Sequence, residues 1–164
     1  MDFFDNIRMN EQAFAFFRKA YELHMSGELQ PAIVLYKRSL EAQPTAEAHT
    51  FLGWAYSFTG NLEEAIVECQ RAIAIDPDFG NPYNDIGAYL IQQGKLDEAI
   101  PWLQKAIAAR RYANPEYPHT NLGRIYEMKA LWPLALYEFE KALAIRPENT
   151  DVQRAVERLQ ALLN

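Results

Sequence analysis

The sequence predicts an all-α protein, four stacked helical hairpins closed by one further helix, and three observations predict it. Short segments recur in phase: Gly27-Glu28-Leu29-Gln30-Pro31-Ala32-Ile33, Gly60-Asn61-Leu62-Glu63-Glu64-Ala65-Ile66 and Gly94-Lys95-Leu96-Asp97-Glu98-Ala99-Ile100, with Ala130-Leu131-Trp132-Pro133-Leu134-Ala135-Leu136 as a fourth lacking the glycine. The steps between them are 33, 34 and 36 residues, and a period of 20–50 residues is the mark of a repeat array. A second marker keeps the same phase in Leu52-Gly53-Trp54-Ala55-Tyr56, Ile86-Gly87-Ala88-Tyr89-Leu90 and Leu122-Gly123-Arg124-Ile125-Tyr126. Between the markers, apolar residues fall three and four apart, as in Ala65, Ile66, Cys69, Ala72 and Ile73, the stripe of an amphipathic helix.

Taken in order, residues 1–12 form an N-terminal extension. Helix pairs follow at 13–26/29–42, 46–59/62–75, 80–93/96–110 and 116–129/132–145, within units 13–45, 46–79, 80–115 and 116–148. Gly60 and Gly94 supply the permissive backbone where one helix stops and the next begins. Glu63, Glu64, Asp97 and Glu98 fall in first turns, where the positive end of the helix dipole favours acid. Pro31 and Pro133 lie at helix starts, where a missing N–H costs little, and Pro101 lies deeper, where a slight bend is expected. Gly53, Gly87 and Gly123, with Ala65, Ala99 and Ala135, are small enough to let paired helices approach.

The stretch from Arg111 to Pro115 carries two residues more than the period allows. It predicts a long second helix ending in Arg110-Arg111, whose charge suits the negative helix end, and then an irregular link in which Pro115 and Pro118 push Asn114 and Tyr117 toward extended backbone. Residues 149–164 read as a capping helix. Val152, Val156, Leu159 and Leu163 share one side, while Gln153, Arg154, Glu157, Arg158 and Gln160 cover the other.

Composition narrows the function. The chain has 164 residues, 49% of them hydrophobic and 13% aromatic, too apolar for a disordered segment. The net charge of −6 argues against non-specific binding to nucleic acid or to an anionic membrane. One cysteine forms no internal disulfide, no apolar run reaches bilayer length, and no basic leader precedes the first residues, so a cytoplasmic location is expected. His24, His49 and His119 show no paired metal spacing, and Cys69 sits within a core stripe. Adjacent acids such as Glu63-Glu64 point about 100° apart on a helix, and neither a phosphate-binding glycine loop nor a Ser/His/Asp set is present. No catalytic residue, metal site or cofactor is expected.

A period near 34 carrying Leu-Gly-x-x-Tyr, then glycine, alanine and proline (Pro44, Pro77, Pro147), resembles the tetratricopeptide repeat (TPR) family across residues 13–148. Repeat one departs with Lys19-Ala20 in place of Leu-Gly, and repeat three ends in Arg110-Arg111 instead of a proline. The resemblance implies a right-handed superhelix whose concave groove, lined by first helices, binds a partner protein or peptide.

The residues expected in that groove are Phe17 and Tyr21, then Thr50, Trp54 and Phe58, then Asn81, Asn84 and Ala88, and last Tyr117, Thr120, Asn121 and Arg124. The N-terminal half is aromatic and the C-terminal half polar with one arginine, which suits a peptide anchored by bulky side chains at one end. Alternatively, residues 1–12 cover these aromatics through Phe3, Phe4 and Ile7, or the surface serves homo-oligomer formation in an assembly protein. A third reading is a regulatory domain of a larger protein. TPR domains that hold the C-terminal carboxylate of heat-shock chaperones use a Lys and an Asn where this chain has Phe17 and Tyr21, and a further Asn where it has Phe51, so that clamp is not expected here.

Overall fold

The computed structural model describes residues 7–164. Its helices are α1 (Glu11–Met25), α2 (Leu29–Ala42), α3 (Ala46–Phe58), α4 (Leu62–Ile75), α5 (Asn81–Gln92), α6 (Leu96–Ala108), α7 (Glu116–Met128), α8 (Trp132–Ile145) and α9 (Thr150–Leu163). Among the described residues none of these is long and apolar enough to cross a membrane.

One turn geometry joins all four pairs. The backbone N–H groups of Glu28, Asn61, Lys95 and Leu131 donate to the carbonyls of Leu23, Tyr56, Leu90 and Tyr126, each five residues back, at 2.8, 3.0, 2.9 and 2.8 Å. This closure needs a left-handed residue just past the helix. Gly27, Gly60 and Gly94 provide it at φ of 84°, 83° and 74°, and Ala130 takes the same region at 55°. Entries to α1, α3 and α9 are capped by side-chain oxygens of Asn10, Thr45 and Asn149, which accept from the N–H of Ala13, Ala48 and Val152.

Inside three of the four pairs a glycine lets the helices approach. A methyl group on Gly87 would lie 2.5 Å from Leu103 Cδ2, one on Gly123 2.6 Å from the Phe139 ring, and one on Gly53 2.9 Å from the Ala65 carbonyl oxygen. The core runs along these seams, through Phe17, Tyr36 and Leu52 in the first half and Ile86, Leu103, Leu122 and Ile125 in the second. On the far end Val152, Ala155, Val156 and Leu159 of α9 close over Ala135, Phe139 and Ala142 of α8, as a capping helix should.

Four expectations are corrected. α1 opens at Glu11, so the extension before it is shorter than twelve residues. α6 is no longer than its counterparts and ends at Ala108, running through Pro101. Tyr117 is helical, because Pro118 falls in the first turn of α7, where no intrahelical partner awaits its missing N–H. Arg111 does not cap a helix end. It lies in the link after α6, paired backbone to backbone with Phe79: its N–H donates to Asp78 (2.9 Å) and its carbonyl accepts from Gly80 (2.9 Å). Tyr112 then packs against Gly80, where a methyl group would meet the tyrosine ring at 2.6 Å.

Candidate functional site

First helices touch first helices: α1 meets α3, α3 meets α5 and α5 meets α7, with no comparable contact between the second helices. The array therefore curves with α1, α3, α5 and α7 on its inside, and their inward stripes form the groove.

At the N-terminal end that stripe is a chain of rings. Phe17 lies 5.3 Å from Phe51, Phe51 lies 5.7 Å from Trp54 and 5.8 Å from Tyr21, and His24 lies 4.4 Å from Trp54. Phe58 extends the chain, 5.7 Å from Trp54 and 61% exposed. Tyr21 and Trp54 are half-buried. Phe17, by contrast, is fully buried, a wedge between α1 and α3 that presents no surface to a ligand. Ile7 and Met9 pack on the same cluster as Tyr21 and Trp54; Phe3 and Phe4 lie outside the described residues.

Toward the C-terminal end the stripe turns polar. Thr50 and Thr120 are buried and their hydroxyls donate backward, to the carbonyls of Ala46 (2.7 Å) and Glu116 (3.0 Å), so both serve their own helices. Asn84 is buried as well, and its Oδ1 accepts from Asn121 Nδ2 at 3.0 Å, tying α5 to α7. Asn81 and Ala88 are half-buried, Arg124 is exposed with no carboxylate in ion-pair range among the described residues, and Tyr117 is 44% exposed with the Arg146 guanidinium 6.0 Å from its ring centre. Beside Asn84 stands Asp85, half-buried, its carboxyl pushed up to about 7 by burial and partly held down by a hydrogen bond from Asn84. The residue-type reading passed over Asp85, although it stands one repeat step from Phe51 on one side and from Asn121 on the other.

The histidines serve packing. His49 Nδ1 meets Glu68 Oε2 at 2.5 Å and His119 Nδ1 meets Glu138 Oε2 at 2.7 Å, each linking the two helices of a pair. Both pairs span nineteen residues and recur seventy apart, a signal legible in the sequence once the repeat is aligned. His24 is buried against Trp54 with Tyr36 Oη 3.3 Å from its Nδ1, and burial lowers its pKa. Cys69 is buried and its thiol is pushed up by desolvation, then by the charge of Asp85, so it stays protonated. Among the described residues no group of three or more His, Cys, Asp or Glu converges as for a metal ion.

Comparison with known proteins places this geometry. The chain is 36% identical over 90 residues to the tetratricopeptide repeat domain-containing protein PYG7, chloroplastic, of Arabidopsis thaliana, covering 54% of this chain and 28% of that one. It is 26% identical over 119 residues to the photosystem I assembly protein Ycf3 of Prochlorococcus marinus, covering 66% and 69%. The chain spans about a quarter of the length of PYG7 and of the small glutamine-rich tetratricopeptide repeat-containing protein 2 of Mycosarcoma maydis, at 28% and 22%. Among solved structures, that of Pseudomonas aeruginosa pilF superposes with a TM-score of 0.85 at 24% identity, covering 92% of this chain and 68% of that one, a likeness of fold. Tetratricopeptide repeat models match residues 46–79 and 78–148, and with the four turns and paired helices described above they show that the chain belongs to the tetratricopeptide repeat family.

Proposed function

We propose that this chain is a non-enzymatic scaffold that takes a segment of a partner protein in its concave groove, with an apolar anchor at the N-terminal end and polar contacts at the other. The repeat is a general protein-interaction fold. The finer reading rests on one observation: the groove offers Trp54 and the exposed Phe58 ring as an apolar edge at one end, and at the other an exposed Arg124 that has no acidic partner among the described residues. Large aromatics and arginine dominate binding energy at interfaces. In this reading the contacts fall to Tyr21, Trp54, Phe58, Asn81, Tyr117, Asn121 and Arg124, and the buried Phe17, Thr50 and Asn84 shape the groove from beneath.

Selection of random linear peptides on the immobilised protein tests this. Recovered sequences should share an aromatic or large aliphatic residue. Trp54→Ala should weaken the best of them by about 2–4 kcal/mol at low and high salt alike, whereas Arg124→Glu should act mainly at low salt, where an exposed charge is least screened. Peptides indifferent to both substitutions would place the binding surface elsewhere.

A further inference from the structure

The ion pairs leave one carboxylate over. Among the described residues the acidic side chains that are buried or half-buried are Glu47, Glu68, Asp76, Glu116, Glu127 and Glu138, together with Asp85. Each of the first six has an Arg or His nitrogen within 4.0 Å: Arg111 serves Glu47 and Asp76, His49 and Arg71 serve Glu68, Arg146 serves Glu116, Arg158 serves Glu127 and His119 serves Glu138. Asp85 alone has no such nitrogen in range. A half-buried carboxylate without a counter-charge is costly, and the fold elsewhere avoids that cost.

Its surroundings orient it without neutralising it. Asn84 hydrogen-bonds Asp85 while accepting from Asn121, so a line of amides runs from α7 to the carboxylate. The buried Tyr89 hydroxyl feels the same charge and has no partner in good hydrogen-bonding geometry; its neighbour Ser57 donates to the Trp54 carbonyl at 2.8 Å. Asp85 thus stands on the groove stripe between the aromatic end and Arg124, the one negative group there without a matching charge.

We propose that Asp85 is the seat for a basic side chain, Lys or Arg, of the groove's ligand. The inference rests on the peptide-groove reading above and adds to it a charge preference: an apolar anchor at Trp54 and Phe58, followed by a cation over α5. Binding then needs the carboxylate ionised. Because burial holds Asp85 near pH 7, its ionised fraction rises from about 0.1 at pH 6 to about 0.9 at pH 8, and ligand affinity should rise roughly tenfold over that range. The other groups that face it, the Cys69 thiol on α4, the Tyr89 phenol on α5 and the Tyr112 phenol in the α6–α7 link, are all pushed up by burial and remain protonated throughout, and Glu116 near Tyr112 is already paired with Arg146.

The same peptide selection, run at pH 8 on wild type and on Asp85→Asn, decides the matter. The expected result is a recurrent Lys or Arg at a fixed distance from the apolar anchor in the wild-type pool, lost from the Asn pool while the anchor persists. A wild-type peptide should bind roughly tenfold more tightly at pH 8 than at pH 6, and Asp85→Asn should flatten that dependence. Peptides that share the anchor but show no basic residue, or bind with equal affinity at both pH values, overturn the charge preference and leave the groove reading standing. Failure to recover any peptide with a common anchor overturns both.

Discussion

The Arg111 guanidinium sits over the ring of Phe79, 4.1 Å from its centre, and from that position ties the third repeat to the second. Its Nε and second terminal nitrogen donate to Asp76 Oδ2 at 3.0 and 2.6 Å, and its other terminal nitrogen donates to Glu47 Oε1 at 2.9 Å. Arg111 stands where the repeat pattern has a proline. From there Arg111 reaches back onto the preceding link and, across 64 residues of sequence, to Glu47.

This makes Arg111 a stability determinant in spite of being 45% exposed. Exposed ion pairs contribute little, but a planar fork on two carboxylates, stacked on a ring, contributes more than a point charge does. Arg111→Ala should cost about 1–3 kcal/mol in urea denaturation, and Arg111→Lys should recover less than half of it. Full rescue by lysine would show that charge alone matters there and that the stacking on Phe79 is incidental.

Ala130 offers the converse test. It holds a left-handed backbone, φ 55°, where the other three turns have glycine. A non-glycine residue pays roughly 1 kcal/mol for that region, offset in part by the greater freedom glycine has in the unfolded chain. Ala130→Gly should therefore stabilise by about 0.5–1 kcal/mol, and Gly94→Ala should destabilise by a similar amount. A melting temperature lowered by Ala130→Gly would mean that the turn has some other means of relaxing.

The helices were legible because one stripe, one turn and one small residue recur in phase, so each repeat corroborates the others. The groove was legible in outline only. Position on the inward stripe does not separate a residue that lines the groove from one wedged between successive first helices: Phe17 and Tyr21 lie one turn apart, yet Phe17 is sealed against Phe51 while Tyr21 stays half-open. Arg111 was misread for a different reason. Its partners depend on how two links are brought together by the curvature of the array, and nothing local to Arg110-Arg111 encodes that.

Gly87 tests the packing register directly. Its missing side chain is where Leu103 of α6 seats, with Cδ2 and Cγ 2.5 and 2.7 Å from the place a methyl would take. Gly87→Leu should push α5 and α6 apart and cost about 1–3 kcal/mol or more, despite leucine's better helix propensity. A paired Leu103→Ala should return part of that loss by opening the same space. If the double variant is as unstable as the sum of the single ones, the two side chains do not compete and the seam has been misdrawn.

Asp85 gives the fold a pH dependence of definite sign. Its pKa is raised in the folded chain from 3.8 to about 7, so between those values the folded state binds more protons than the unfolded one. Stability assigned to this residue must fall as pH rises from about 4 to about 7 and then level off. At 1.36 kcal/mol per unit, discounted because the carboxylate is only partly buried and so partly screened, the loss is about 2–4 kcal/mol. His24 acts in the opposite direction: its pKa is lowered by burial, so its contribution is complete above 6.5 and is lost as pH falls. Comparing wild type with Asp85→Asn at matched pH cancels the histidine term. The Asn variant, which keeps the shape and loses the charge, should match wild type in urea denaturation at pH 4 and exceed it by about 2–4 kcal/mol at pH 8. Because this needs no ligand, it tests the uncompensated carboxylate separately from what binds there. A stability difference that stays constant from pH 4 to pH 8 would mean that Asp85 is solvated as an ordinary surface carboxylate, and the tenfold gain in ligand affinity between pH 6 and pH 8 would lose its physical basis.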